Sequence, residues 1–482
     1  MNHSVLLTDL YQLTMADAYY QSGKAEDEAV FHLYFRKPPF KGGYALACGL
    51  ERAAEFLENF RFSSEEISYL SRLTGADGKR LFSEDFLDAM AELKFTCDVD
   101  AVEEGTPVFA NEPLIRVRGP ISQCQLIETP LLNFVNFETL IATKASRLRE
   151  AVKDDQLLEF GMRRAQGPDG AMAASRAAYV GGADATSNVL AGMKFGIPVK
   201  GTHAHSWVMS FDTEREAFEA YARAMPHNSV FLVDTYDTLD GVRRATEMAK
   251  IIEEKGHRLG GIRLDSGDLA YLSIEARKIL DQAGLNDAKI VASNDLNENI
   301  IESLKAQGAR IDVWGVGTQL ATAYDQPALG GVYKLAAIRE KGGDWEHRLK
   351  LSEQAVKVST PGILGVRRYF DGQTYAGDLI YDELSGIDEP ATLVDPADFT
   401  RRKPVSTFEF EELLVPIFRD GSRVYQSPGA EAARRRARTE LLKFHASIRR
   451  FMNPHEYPVG FDARLHTLKT ELILKARGLA QP

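Results

Sequence analysis

Residues 260–296 read GGIRLDSGDLAYLSIEARKILDQAGLNDAKIVASNDL. Gly261–Leu264 and Lys289–Ala292 are short apolar runs of the kind expected for strands covered on both faces. Between them, Asp268 stands where a helix wants its N-cap. Gly284 stands where a residue of positive φ closes the last turn. The stretch is one complete β/α unit.

The unit repeats on both sides of this stretch, from about Leu157 to Val332. The further strand candidates are Leu157–Phe160, Ala178–Gly181, Ile197–Lys200, Ser229–Val233 and Ile311–Val313. Thr213-Glu214-Arg215-Glu216 has capping-box spacing, and Gly196 and Gly308 punctuate helices as Gly284 does. Strand starts recur at about 20–30 residues, close to the ~31 per unit of an eight-fold β/α barrel. A doubly wound open sheet shows the same alternation. The strand ends favour the barrel. Phe160 with Arg163, Gly181 with Asp184, His203 with His205, Asp234, Asp265, Asn294 with Asp295, and Gly317 with Thr318 each follow a strand candidate. A closed barrel gathers such groups around one mouth, whereas an open sheet collects only those near a switch point.

The flanks lack this alternation. Helix-like Thr8–Tyr20, Leu50–Asn59 and Ser64–Thr74 mix with strand-like Ala29–Phe35 and Leu114–Val117. Beyond residue 345, strand-like Tyr375–Ile380 precedes a long helix opened by Ser427-Pro428. The expected division is an α/β barrel over 136–345, with 1–135 and 346–482 packing together as one α+β domain.

Composition narrows the function. The 482 residues hold 44% hydrophobic and 26% charged side chains, which excludes wholesale disorder. Lys+Arg 58 against Asp+Glu 69 leaves a net charge of −11, a poor field for nucleic acid. Cys48, Cys97 and Cys124 are scattered, with no CxxC pair, so neither a disulfide framework nor a zinc cluster is expected. Met1 to Met15 lacks the pattern of a secretory leader, and no apolar run approaches the ~18 residues of a membrane span. A cytoplasmic protein is the expectation.

Several rim residues admit more than one chemistry. His203-Ala204-His205 reads as a metal pair of a barrel hydrolase, as a nucleophile or proton carrier oriented by Asp234 or Asp265, or as structural histidine. No further histidine follows a barrel strand, which weakens the metal reading. Asp237 and Asp268 read as helix caps. Asp234, Arg263 and Asp265 sit earlier, at the strand ends, and suit a polyhydroxylated anion such as a sugar phosphate. Gly315-Val-Gly317-Thr318 lets backbone approach a phosphate, or forms a plain turn. Arg163-Arg164, Lys350, Lys357, Arg367 and Arg368 are solvated cations or contacts to a diphosphate. The run Arg434-Arg435-Arg436-Ala437-Arg438 reads as a solvated helix face or intersubunit patch.

Six segments add a resemblance: TDLYQLTM from Thr8, FRKPPFKGGY from Phe35, EFGMRR from Glu159, GTHAHS from Gly201, RLDSGD from Arg263 and GVGT from Gly315. In this order they resemble the nicotinate phosphoribosyltransferases, within the type II phosphoribosyltransferase family. The likeness runs from residue 8 to Tyr457-Pro458-Val459. It implies an irregular (β/α) barrel with a second domain built from both chain ends. It also implies a homodimer with composite active sites, acting on nicotinate and phosphoribosyl pyrophosphate with ATP as co-substrate and Mg²⁺ on the diphosphates. By resemblance, His205 is the histidine phosphorylated transiently and Asp234 the acid that orients it. Phe160 and the partner copy's counterpart of Tyr11, with Asp9 beside it, would sandwich the pyridine ring. Arg163 and Asp184 would line the base pocket. Arg263, Asp265, Asn294 and Asp295 would meet the ribose, and Gly317 and Thr318 the 5′-phosphate. Arg36, Lys334 and Lys350 would face the diphosphate. The nicotinamide-using relatives share the aromatic pair and the Arg/Asp set, so nicotinamide is the alternative base. One departure is visible: after Pro361-Gly362, where relatives carry basic residues, Ile363 and Leu364 follow, and charge returns at Arg367-Arg368. The C-terminal cysteine cluster of some relatives is also missing, so no zinc is expected.

Overall fold

The computed structural model describes residues 4–354 and 357–479. The leader reading rests partly on Met1–His3, which lie outside the described residues. The chain forms two compact units, one of residues 141–327 and one of 1–140 with 328–482. It passes between them within one long helix, Glu128–Val152.

The 141–327 unit is built on a six-stranded sheet in which every ladder is parallel. Its order is Ala185–Thr186, Gln156–Glu159, Val313–Val316, Lys289–Asn294, Gly261–Leu264, Val230–Leu232. One further parallel bridge joins Thr186 to Val199 and carries the sheet round by another position. Among the described residues no backbone ladder joins Val199 to Val230–Leu232. A side chain reaches across instead: the Leu232 amide donates to Nε2 of His203 at 3.2 Å. The barrel is therefore irregular, with fewer laddered strands than an eight-fold one.

Three sequence readings need correction. Ala178–Gly181 is the end of the helix Gly167–Val180, because an alanine-rich run supports helix better than strand; the strand comes later, at Ala185–Thr186. Ile197–Lys200 holds only the single bridge at Val199. The strand predicted at Ile311–Val313 lies at Val313–Val316, so Gly315 is inside it. The punctuation is as expected. Asp237 and Asp268 cap their helices by accepting backbone amides. Thr213 and Glu216 form a capping box, and Gly196, Gly284 and Gly308 have φ of 69°, 76° and 82°.

The other unit carries two sheets. The first has seven strands, with Glu28–Phe35 paired antiparallel to both Gly331–Arg339 and Ile115–Pro120. The second has six, centred on the hairpin of Leu364–Asp371 and Thr374–Asp382. The helix read as opened by Ser427-Pro428 is Gly429–Leu442, one residue later, with Pro428 instead of Ser427 at the N-cap; the Ser427 hydroxyl still accepts the Gly429 amide at 3.3 Å. Arg368 is not a surface cation. It is wholly buried and bidentate to Asp378, with Phe109, Tyr375 and Phe444 around its guanidinium. Arg367 is paired with Glu412 at 2.6 Å. The cations after Ile363-Leu364 are thus engaged in folding, because an unpaired buried charge is costly.

Candidate active site

Residues two apart on a strand share a face, and the register places one set of them at the C-terminal edge of the parallel sheet. Leu158, Val291 and Val313 pack together with Phe160 and Val230 as an apolar layer. Continuing the same alternation beyond this layer gives Asp234, Asp265, Asp295 and Gly317. The rim follows from period two applied to strands that end together.

Arg263 is the most constrained group there. Its Nε donates to Ser293 Oγ at 2.8 Å, Nη1 to Thr202 Oγ1 at 3.0 Å and Nη2 to Asp265 Oδ1 at 2.8 Å. Ser293 also donates to Asp265 Oδ1. The guanidinium stands 5.7 Å from the centroid of the Phe160 ring. That ring needs the absence of a side chain at Gly315, where a Cβ would come within 2.7 and 2.9 Å of two ring carbons. Below it, buried Glu159 accepts the Gly161 amide, Ser175 Oγ at 2.9 Å and Thr186 Oγ1 at 2.6 Å. The turn that carries Phe160 is thereby tied to the next strand.

His205 opens a short helix, His205–Met209. Its Nδ1 lies 3.1 Å from Thr235 Oγ1, while Nε2 lies 3.9 Å from both Asp234 Oδ1 and Asp265 Oδ2. Two carboxylates favour a proton on Nε2, which leaves Nδ1 to accept from the threonine hydroxyl. The Asp234 side chain is 1% exposed; its Oδ2 accepts the Asp265 amide at 2.9 Å and Ser266 Oγ at 2.6 Å. Its Oδ1, which faces the imidazole, has no hydrogen-bond partner among the described residues.

The two histidines of the pair part company. His203 is buried against Phe218, Tyr221 and Phe231. Because Nε2 accepts an amide, the proton sits on Nδ1, which faces the Ala204 carbonyl at 3.4 Å. Burial, helped by Arg263 and His205, lowers its pKa to about 4. Both nitrogens are engaged, so the metal-pair reading fails for lack of a free donor. Among the described residues, the metal-capable grouping is Cys48, Glu104 and Glu138 in the other unit, where Glu104 already accepts the Gly49 amide.

The remaining predicted residues fall into three groups. Asn294 and Asp295 are exposed at the rim, Asn294 with a φ of 126° that non-glycine residues rarely adopt. Gly317 and Thr318 are half-buried, and Arg163 and Arg164 lie exposed on the turn after Phe160. Asp184 does not join them. It precedes its strand, accepts the Leu157 amide at 2.8 Å and pairs with Arg149 at 2.5 Å, which places it at the opposite, N-terminal edge. The strand misplaced at Ala178–Gly181 is why it was counted among the strand ends; its base-pocket role came from the resemblance alone. Tyr11, Arg36, Lys334 and Lys350 belong to the other unit. There Tyr11 is exposed on the helix Leu10–Gln21, with Asp9 accepting from Thr129. Burial lowers the Lys334 pKa, Arg36 and Lys350 lower it further, and Glu128 opposes them, so the three cations share one neighbourhood. The Arg36 Nε is buried without a hydrogen-bond partner among the described residues.

Sequence reading assigned no role to Thr202, Thr235, Ser293 or Glu159, and it read Gly315 as an approach to a phosphate or a turn rather than as room for the Phe160 ring. The alternation that marks Asp295 also marks Ser293. Nothing in the spacing marks the two threonines.

The sequence pattern of the nicotinate phosphoribosyltransferase N-terminal domain matches residues 6–136. The family's central pattern matches 156–344 and the C-terminal domain pattern 365–469. A nicotinate phosphoribosyltransferase of Bacillus subtilis is 46% identical, over 97% of this chain and 96% of its own length. The Homo sapiens enzyme of the same name is 35% identical over 97% and 96%. The crystal structure of human nicotinic acid phosphoribosyltransferase aligns with a TM-score of 0.83 at 32% identity, covering 96% of this chain and 99% of that one. A nicotinate-nucleotide pyrophosphorylase from Pyrococcus furiosus, 21% identical with a TM-score of 0.69, shares the fold. The curled parallel sheet and the unit built from both chain ends are those of a type II phosphoribosyltransferase. Within that class, the chain belongs to the nicotinate phosphoribosyltransferase family.

Proposed function

We propose that this chain joins nicotinate to the phosphoribosyl group of phosphoribosyl pyrophosphate, yielding nicotinate mononucleotide and pyrophosphate in NAD salvage. The observation that carries the reading is Arg263, held by Ser293, Thr202 and Asp265 beside the Phe160 ring. The pyridine nitrogen attacks the anomeric carbon, and the bond to pyrophosphate breaks with its electron pair on the leaving oxygen. No strong base is needed, so the protein's task is position and charge. Phe160 offers a face to the ring, and Arg163, exposed on the turn that follows it, is assigned to its carboxylate. Arg263 and Asp265, with Asn294 and Asp295, meet the ribose, and the anionic rim favours the oxocarbenium-like state. Gly317 and Thr318 bring backbone to the 5′-phosphate.

Arg36, Lys334 and Lys350 are assigned to the diphosphate; the Arg36 Nε, without a partner among the described residues, is a donor that an anion would satisfy. When bound on that diphosphate, Mg²⁺ would supply charge neutralisation. The rim offers it exposed oxygen donors at Asn294 and Asp295, which suit a hard cation. ATP is the proposed co-substrate, His205 its phosphoryl acceptor and Asp234 the acid beside the imidazole. The assembly is a homodimer in which the partner copy supplies its Tyr11 to the base pocket.

Product analysis with nicotinate or nicotinamide, with and without ATP, tests the reading. Nicotinate mononucleotide is expected as the preferred product, formed faster with ATP. Preference for nicotinamide overturns the choice of base. Equal rates with and without ATP overturn the coupling.

A further inference from the structure

Thr235 follows Asp234 at the end of its strand, and no role attaches to it in the chemistry above. Its hydroxyl is nevertheless the one side-chain contact within hydrogen-bond distance of the His205 ring among the described residues. The two carboxylates stand further off, both at 3.9 Å, on the other nitrogen. Carboxylates at that distance bias the proton towards Nε2 without fixing the ring, whereas a hydroxyl at 3.1 Å fixes its rotation.

We propose that Thr235 is a positioning residue for phosphoryl transfer: its hydroxyl holds the His205 ring with Nδ1 unprotonated and turned to the rim. The inference rests on the phosphohistidine reading given above. In the step itself, the Nδ1 lone pair attacks the γ-phosphorus of ATP, the bond to the β–γ bridging oxygen breaks, and ADP leaves with the electron pair. The imidazole becomes cationic, with its Nε2 proton facing Asp234 Oδ1 and Asp265 Oδ2. Thr235, displaced from Nδ1, retains a donor for a phosphoryl oxygen. Asp265 meanwhile keeps its other oxygen on Arg263 and Ser293, so the same carboxylate faces both the histidine and the ribose arginine.

Incorporation of label from γ-³²P-ATP into the full chain tests this, with Thr235→Val and Thr235→Ser beside the parent. Transfer rates with and without ATP are taken as a ratio, so that a general loss of folded protein cancels. Thr235→Val is expected to lower both label and ratio about fivefold, the worth of one neutral hydrogen bond. Thr235→Ser is expected to restore them. The ¹⁵N shifts of the His205 imidazole should move towards a tautomer mixture in the valine variant only. Undiminished label in Thr235→Val, or a serine variant as impaired as the valine one, overturns the proposal. Absence of label in the parent overturns the phosphohistidine reading instead.

Discussion

Arg263 concentrates what one residue contributes to this site. Three donors are spent on protein acceptors, so the guanidinium plane is set before any ligand arrives. Lysine has no such fork. Arg263→Lys is expected to raise the KM for phosphoribosyl pyrophosphate about 10–100-fold, from loss of roughly 1.5–3 kcal/mol of charge-assisted bonding; steady-state kinetics at fixed nicotinate checks this. His205→Asn should abolish the ATP-linked stimulation while slow, ATP-free transfer persists. Equal stimulation in variant and parent would refute the phosphohistidine role. His203 predicts something different. Its folded pKa of about 4 lies below the ordinary 6.5, so the unfolded chain binds the proton more readily between those values. Stability is fully present above pH 6.5 and falls as the pH drops towards 4. His32, lowered by burial to about 3 and accepting the Leu364 amide at 3.2 Å, acts in the same direction. Thermal unfolding between pH 7.5 and 4.5 should show the decline, and His203→Gln, which keeps an acceptor without titrating, should make it shallower, leaving the His32 share.

The strand ends show how far sequence carries at the scale of an element. Gly261–Leu264 was legible because a short apolar run ends in a charged pair, and its neighbours follow the same grammar. Asp234, Asp265 and His205 were legible for that reason. Asp184 was not, because alanines at 177–178 hide a helix end inside what reads as an apolar strand. Arg368 was not, because its partner Asp378 lies on the opposite strand of a hairpin whose register no local pattern announces. The hydroxyls of Thr202 and Thr235 carry no charge or spacing of their own, and Ser293 has only the alternation it shares with Asp295; their joint role becomes visible only when the chain segments converge on Arg263 and His205. Gly315 belongs to the same scale. A methyl group there collides with Phe160, so Gly315→Ala should push the ring aside and raise the KM for nicotinate about tenfold or more, at roughly 1–3 kcal/mol for overpacking. An unchanged KM for nicotinate would mean that the ring does not depend on this cleft.

At the scale of the molecule, the proposed dimer makes a distinct prediction. Tyr11→Ala and His205→Asn are each expected to impair their own homodimers, whereas mixed dimers should regain one intact site from the two undamaged contributions. Failure to regain activity on mixing would count against a site shared between copies. The pairing of the strand Glu28–Phe35 has a consequence in time. One of its edges meets Ile115–Pro120, made soon afterwards, but the other meets Gly331–Arg339. At roughly 5–20 residues per second, the ribosome needs about 10–40 s more to deliver that second partner. Through this interval the parallel-sheet unit emerges whole, while the earlier segment waits with an unpaired, apolar margin of the kind that invites aggregation. Newborn chains of this enzyme should therefore be clients of cellular holdases until translation is well into the last third of the message.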